Sequence, residues 1–175
     1  MILDTNIWIY IAESIGEAKV VPELARLHAA GTIDLILLQT VLEEFDRNKG
    51  RVASKYYQRY SGVISSAKAL KHLDGTPADF DVALDLCRKA LDIAKQSIPK
   101  SVTAIEELFA SLIIFETTDT HRLEAFRRLY ERRAPAQNAK VSTPGDCLIW
   151  ECVLQNLRRG KVAFCTANKT GLLRF

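Results

Sequence analysis

Cysteine and histidine patterns typical of metal sites are missing from this chain of 175 residues. Its four cysteines show no C-x-x-C spacing and its three histidines are scattered, so a zinc site is poorly supported. No apolar run is long enough to span a membrane, and Asp4 interrupts the pattern that a secretory signal would need. We therefore predict one cytoplasmic domain with reduced thiols and no membrane partner.

Acidic residues are absent from one long stretch, Arg47 to Leu73, which holds seven basic residues. The net charge of the chain is only +3, so the remainder is net negative. Such unevenness indicates either a polyanion partner or a solvated helix face. The residues that we predict to contact nucleic acid are Arg47, Lys49, Arg51, Lys55 and Arg59, with Arg132 and Arg133 from a second basic cluster.

Tyrosines are interleaved with basic residues between Lys55 and Tyr60. This alternation is typical of surfaces that stack the bases of a single strand. An amphipathic helix that packs its tyrosines gives the same pattern, and the sequence leaves both interpretations open.

Short apolar segments alternate with helical patterns, which predicts an α/β fold with a mostly parallel sheet. A helical middle, with breaks expected at 74–77 and 98–99, is interpreted as an insertion into a single domain. The predicted strands are 2–3, 33–38, 113–117 and 161–166. The first predicted helix begins at Ile7, and further helices are predicted at 22–30, 41–45, 122–133 and 143–157. The insertion covers about 52–112.

Polar side chains lie near the carboxyl ends of the predicted strands, where ligands bind in open α/β sheets. Asp4 follows the first strand, Glu44 lies on the helix after the second, and Asp146 lies on the helix before the last. Thr166 and Asn168 follow the last strand. Oxygen ligands of this kind suit Mg²⁺ or Mn²⁺, which bind few carboxylates together with substrate phosphates. We therefore predict that these side chains converge on one site.

Each candidate also has an ordinary structural interpretation. Asp4 could cap the first helix, and Thr143 with Asp146 matches a capping box. Helical periodicity separates the glutamate pair: Glu43 points away from the apolar side, whereas Glu44 lies at the edge of the core. Glu151 is five residues after Asp146, so helical geometry turns it away from the site, and we predict a structural role.

Four short motifs resemble those of the PIN (PilT N-terminus) domain nucleases, in the order of that family. The motifs are Ile2–Asn6, Leu38–Phe45, Gly145–Glu151 and Phe164–Asn168, and the acid of the second motif is similar to Glu44. The resemblance covers the chain outside about 52–112 and is greatest to a bacterial PIN-like subgroup with a helical insertion. It implies a three-layer α/β/α, Rossmann-like fold.

The resemblance also implies a metal-dependent endoribonuclease. Asp4, Glu44 and Asp146 would hold Mg²⁺ or Mn²⁺, and Thr166 and Asn168 would order the water or a scissile oxygen. Single-stranded RNA is the expected partner. A second copy of the chain and an antitoxin-like protein are further partners to consider.

Other functions stay open at this point. The family often has a further Asp near the place of Gly171, and its fold usually continues past the place of Phe175. A degenerate module that binds RNA or a protein, the toxin of a toxin–antitoxin pair, and a DNA nuclease are the alternatives. A truncated C-terminal part of the fold is also open.

Overall fold

The computed structural model describes residues 1–14, 19–70, 79–136, 143–158 and 160–167, without the side chains of 53, 55, 56 and 59. In the described part, four strands lie in the order β3-β2-β1-β4. The pairs β1–β4 and β2–β3 are parallel, and a parallel bridge from Ile2 to Ile36 joins them. The strands are β1 (Ile2–Leu3), β2 (Leu37–Leu38), β3 (Ile114–Phe115) and β4 (Phe164–Cys165).

Six helices in the described ranges surround and connect these strands. They are α1 (Thr5–Glu13), α2 (Val20–Ala29), α3 (Gln39–Leu70), α4 (Phe80–Ser111), α5 (Asp119–Tyr130) and α6 (Pro144–Leu157). The predicted α/β class is confirmed, and the three-layer arrangement stays a prediction. No helix of the described ranges has the length and apolar character that a membrane crossing requires.

The strands are shorter than the sequence predicts. The apolar segments 33–38, 113–117 and 161–166 each contribute only two residues to a ladder. The reason is that neighbouring strands overlap over two residues, Leu37 and Leu38 pairing with Ile114 and Phe115. Beyond that overlap Ile36 makes a single bridge to Ile2, so the apolar segment extends past its ladder.

The core lies where α1, α3 and α4 meet the strands. Trp8 of α1 and Phe45 of α3 both meet Phe109 of α4 in edge-on contacts, with ring centroids 4.9 and 5.3 Å apart. Phe45 is one residue after Glu44, so this aromatic contact fixes the helix turn that carries the glutamate.

Cys147 and Cys152 are also buried, and burial raises the pKa of both thiols to about 11, which makes them packing residues rather than nucleophiles.

The larger apolar side chains of α5 do not form its buried face. Leu123, Phe126 and Tyr130 are exposed, whereas His121 and Ala125 are buried. Ala125 clusters with Ala136 and Cys147 because these small side chains allow α5 to lie close against α6. Burial in α5 therefore follows the position of a residue at the contact with α6 and not hydrophobicity alone.

The predicted helix break at 98–99 is also wrong, because α4 continues through Pro99. A proline inside a helix leaves the carbonyl four residues earlier without its donor. That carbonyl belongs to Lys95, and the Tyr57 hydroxyl of α3 donates to it at 3.2 Å. Tyr57 thus replaces the bond that Pro99 cannot make, which favours the packing interpretation of this tyrosine.

Replacing Tyr57 by Phe is expected to lower the free energy of unfolding by about 0.5–1.5 kcal/mol, because the Lys95 carbonyl loses its donor. In a Pro99→Ala background the N–H of residue 99 can bond that carbonyl, so Tyr57→Phe should then cost less. A double-mutant cycle by urea unfolding measures the difference. An equal cost in both backgrounds would contradict the replacement of the missing Pro99 bond by the Tyr57 hydroxyl.

Candidate active site

Two strands place Asp4 beside Thr166. β1 ends at Leu3 and β4 ends at Cys165, and the two strands are parallel neighbours in register. The backbone N–H of Asp4 donates to the Cys165 carbonyl at 2.9 Å, and the Thr166 hydroxyl donates to Asp4 Oδ2 at 2.7 Å. The predicted proximity of these two side chains is therefore confirmed.

Asp4 occupies the N-cap position of α1 without a side-chain capping bond. The capping interpretation therefore does not account for its carboxyl group. Asp4 is only 4% exposed, and burial, with a smaller contribution from the charge of Asp146, raises its pKa despite the bond from Thr166. A buried carboxylate with no ion pair in the described part of the chain is costly to keep charged.

Glu44 points into the same region from α3. Its side chain is half-buried, and the hydroxyl of buried Thr5 donates to Glu44 Oε2 at 2.8 Å. Burial raises the pKa of Glu44, and the charges of Asp4 and Asp146 add to the shift. Glu43 is exposed and accepts a bond from Gln39. The orientations that periodicity predicts for the two glutamates are confirmed.

Asp146 lies at the N-terminus of α6, where it closes a capping box with Thr143. Asp146 Oδ2 accepts from the Thr143 backbone N–H at 2.6 Å and from the Thr143 hydroxyl at 2.9 Å. The Thr143 hydroxyl accepts from the Asp146 N–H. The capping interpretation is correct here, and it coexists with a place in the site, because Asp146 also lines the cleft shared with Asp4 and Glu44.

That cleft has a volume of about 580 Å³. Three carboxylates, one cation and several small polar groups line it, and none of its lining residues is a cysteine or histidine. The lining residues are Asp4, Thr5, Asn6, Ile9, Glu44, Arg47, Asn48, Thr143, Asp146 and Ala167. Polar oxygen and amide groups at the carboxyl ends of parallel strands are the arrangement expected of a ligand site.

A second cavity of about 340 Å³ lies at the opposite ends of the strands, between Asp34 and Val162. Most of its lining is aliphatic or aromatic, and Asp34 is its one carboxylate among the residues described. It lacks the convergent acids of the first cleft, so the cleft at Asp4 is the better candidate for an active site.

The donor set of the cleft fits a hard divalent cation, because it offers carboxylate oxygens that no Lys or Arg of the described ranges neutralises by an ion pair. As the side chains stand, however, no group of three His, Cys, Asp or Glu in the described ranges is arranged to hold a metal ion. Each carboxylate instead accepts a bond from a neighbouring hydroxyl, of Thr166, Thr5 or Thr143. The cleft thus contains carboxylates suited to a metal ion, but these side chains are not arranged around a single point.

The basic residues divide into those that face the cleft and those bound elsewhere. Arg47 lines the cleft, whereas Lys49 bonds Asp46 and Glu106 at 2.7 and 2.5 Å. Arg51 and Arg132 are exposed, and Arg133 pairs with Glu131 at 2.7 Å. Of the predicted contact residues in the described part, Arg47 is the one on the cleft wall. The side chains of Lys55 and Arg59 lie outside the described part.

Several residues of the cleft were not predicted from sequence. Thr5 holds Glu44, Asn6 and Asn48 line the wall, and Gly145 lies against the Glu44 carboxylate. Thr5 and Asn6 belong to the first motif, and this membership is the sequence feature from which their place in the cleft could have been predicted. The predicted site residue Asn168 lies outside the described residues.

A family model described as PIN domain matches residues 1–171. The chain belongs to the PIN domain family. PIN domains are usually metal-dependent nucleases and often occur in toxin–antitoxin systems. No curated protein and no solved structure matches the chain. The predicted family is thus confirmed, while the roles of individual residues in this PIN domain stay predictions.

Proposed function

We propose that this PIN domain chain is a Mg²⁺- or Mn²⁺-dependent endoribonuclease that hydrolyses phosphodiester bonds of single-stranded RNA. The observation that carries the proposal is the shared cleft, in which Asp4, Glu44 and Asp146 come from three separate parts of the chain. Burial is the main cause of the raised pKa values of Asp4 and Glu44, and repulsion from the neighbouring carboxylates adds to it. A bound cation would relieve that repulsion, which supports the proposal.

Asp4, Glu44 and Asp146 would hold the cation, which when bound would supply Lewis-acid chemistry to the attacked phosphate. The Thr166 hydroxyl holds Asp4 Oδ2, and Thr143 holds Asp146 Oδ2, so one oxygen of each carboxylate is fixed by a hydroxyl. These hydroxyl bonds orient the ligand oxygens before substrate arrives. Asn168 lies outside the described residues, and its proposed role is to order a water or a scissile oxygen.

Arg47 would contact the RNA backbone. It lies on the cleft wall, one helical turn after Glu44, and its positive charge acts on the Glu44 carboxylate. A guanidinium suits a phosphate, which it can bind with two parallel hydrogen bonds. Exposed Arg51 continues the same helix away from the cleft, so an RNA strand following α3 would meet a second cation. In this proposal Lys49 serves structure, because Asp46 and Glu106 hold it.

Metal-dependent cleavage is the test of this function. The protein should cut a labelled single-stranded RNA in Mn²⁺ or Mg²⁺, lose the activity in excess chelator, and regain it when Mn²⁺ is restored. The preference for RNA comes from the family resemblance alone, so single-stranded DNA and duplex RNA belong in the same assay. We place the activity in the cytoplasm, in line with the sequence prediction.

The outcomes separate the alternatives. RNA binding without cleavage in any of these metals would contradict the nuclease and favour a degenerate binding module. Equal cleavage rates on RNA and DNA would support a metal-dependent nuclease and contradict the proposed preference for RNA. Activity that a co-expressed small neighbouring protein abolishes would identify the toxin of a toxin–antitoxin pair.

A further inference from the structure

Gly145, the second residue of α6, lies against the Glu44 carboxylate. A Cβ at this position would be 2.1 Å from Glu44 Oε1 and 3.2 Å from Glu44 Cδ. Both distances are inside the roughly 3.5–4.0 Å at which non-bonded heavy atoms attract. Any residue other than glycine would therefore displace one of the two groups.

The group that would move is the carboxylate. The clashing atoms are the end of the flexible Glu44 side chain, whereas Gly145 belongs to a helix turn that the capping box of Thr143 and Asp146 holds in place. On its other side, Glu44 Oε2 accepts the bond from Thr5. The Glu44 carboxylate thus lies between the Thr5 hydroxyl and the backbone of Gly145. A Cβ at position 145 would displace the carboxylate and disturb its bond to Thr5.

The backbone does not explain the glycine. The φ angle of Gly145 is not in the left-handed region, unlike that of Gly31. Alanine is conformationally acceptable there and favours helix more than glycine does. The distinctive property of Gly145 is therefore the room that it gives to Glu44.

We propose that Gly145 is a positioning residue that keeps the Glu44 carboxylate in the cleft beside Asp4 and Asp146. Because Glu44 is a ligand only under the proposed function, the inference depends on that function. Gly145 touches neither metal nor substrate, and it acts through the side chain that it admits. Thr5 holds the same carboxylate from α1.

Gly145→Ala should weaken Mn²⁺ binding by about 10–100-fold, the usual effect of losing a group that orients a metal ligand. The melting temperature of the metal-free variant should be unchanged or slightly higher, since alanine supports the helix. Isothermal titration with Mn²⁺ and thermal unfolding in chelator measure the two effects. Gly62→Ala is the matched control, because nothing lies within 4 Å of a Cβ there and Mn²⁺ affinity should stay at the parent value.

A second variant tests the steric cause. Glu44→Asp shortens the side chain by one methylene and withdraws the carboxylate from residue 145. The loss of Mn²⁺ affinity that Gly145→Ala produces should therefore be smaller in the Glu44→Asp background than in the parent, a coupling between neighbours. Equal losses in both backgrounds would contradict a clash between residues 44 and 145.

The results distinguish this inference from the proposed function. If the parent does not bind Mn²⁺ at all, the proposed function fails, and the inference fails with it. If the parent binds Mn²⁺, Glu44→Gln weakens binding and Gly145→Ala does not, the function stands and the inference is wrong. A large fall in the melting temperature of metal-free Gly145→Ala would assign the glycine a structural role and overturn the inference.

Discussion

Replacing Asp4 by Asn should slow RNA cleavage in Mn²⁺ on the order of 100-fold or more, the effect of removing a central oxygen ligand from a metal-dependent phosphodiesterase. Asn has nearly the same volume and keeps one oxygen for the Thr166 hydroxyl, so packing around it should persist. The substitution therefore removes the charge and little else. Single-turnover cleavage of a labelled RNA measures the loss.

The same variant should be at least as stable as the parent without metal. Burial raises the folded-state pKa of Asp4, so its stabilising contribution is present at low pH, where it is protonated, and is lost as the pH rises and the buried carboxylate forms. Asn stays neutral and avoids that cost at pH 7. A gain in metal-free stability together with a loss of cleavage is typical of a functional site.

Adjacent glutamates provide the matched control. Glu44→Gln removes a charge from the cleft, whereas Glu43→Gln removes one from the exposed side of the same helix turn. Glu44→Gln should lose cleavage as Asp4→Asn does, and Glu43→Gln should cleave at the parent rate. Cleavage at the parent rate by both Asp4→Asn and Glu44→Gln would contradict the assignment of the active site to this cleft.

Replacing Glu151 by Gln should destabilise the fold by about 1.5–3 kcal/mol, the usual contribution of a hydrogen bond to a charged group, because the Arg128–Glu151 pair is largely shielded from water. Arg128 Nε and Nη2 both donate to Glu151 Oε1, at 2.6 and 2.5 Å, and the two side chains are only 12% and 13% exposed. The neutral amide keeps an acceptor and leaves the guanidinium without its counter-charge. Urea unfolding of the parent and the variant measures the difference.

Two further variants control for this result. Glu124→Gln breaks the exposed pair with Arg127 and should cost less than about 1 kcal/mol. Replacing both members of the partly buried pair, Arg128→Met with Glu151→Leu, should recover much of the loss, because no uncompensated charge remains. If Glu151→Gln were as mild as Glu124→Gln, the pair would not support α6.

The pair matters for the site because of what it joins. Arg128 of α5 bonds Glu151 of α6 and also donates to the Ala134 carbonyl after α5, at 2.5 Å. α6 begins with the capping box that carries Asp146. The structural role predicted for Glu151 thus has a definite partner, and that partner ties the helix of one candidate ligand to its neighbour.

Periodicity and strand-end logic were sufficient for the outline of the site. Asp4 and Thr166 follow strands that pair directly, so their meeting could be predicted once the sheet was assumed parallel. The angular difference between Glu43 and Glu44 was enough to choose between them. These predictions depend on local geometry, which a sequence pattern carries.

The failures came from contacts between distant segments. Pro99 signals a helix end, and only the Tyr57 hydroxyl on another helix supplies the missing bond. The apolar residues of α5 suggest a buried face, and only its contact with α6 shows that Ala125 fills that place. Gly145 begins the third motif, but its close approach to Glu44, about 100 residues earlier, is not visible in the sequence. A single sequence contains no pairing information of this kind.

The central claim is that Asp4, Glu44 and Asp146 hold one divalent-cation site. Anomalous diffraction from crystals of the protein soaked in Mn²⁺ tests it most directly. We predict a manganese peak in the cleft within coordination distance, about 2.0–2.3 Å, of oxygens from these three carboxylates. A crystal saturated with Mn²⁺ whose cleft shows no anomalous peak would contradict the account.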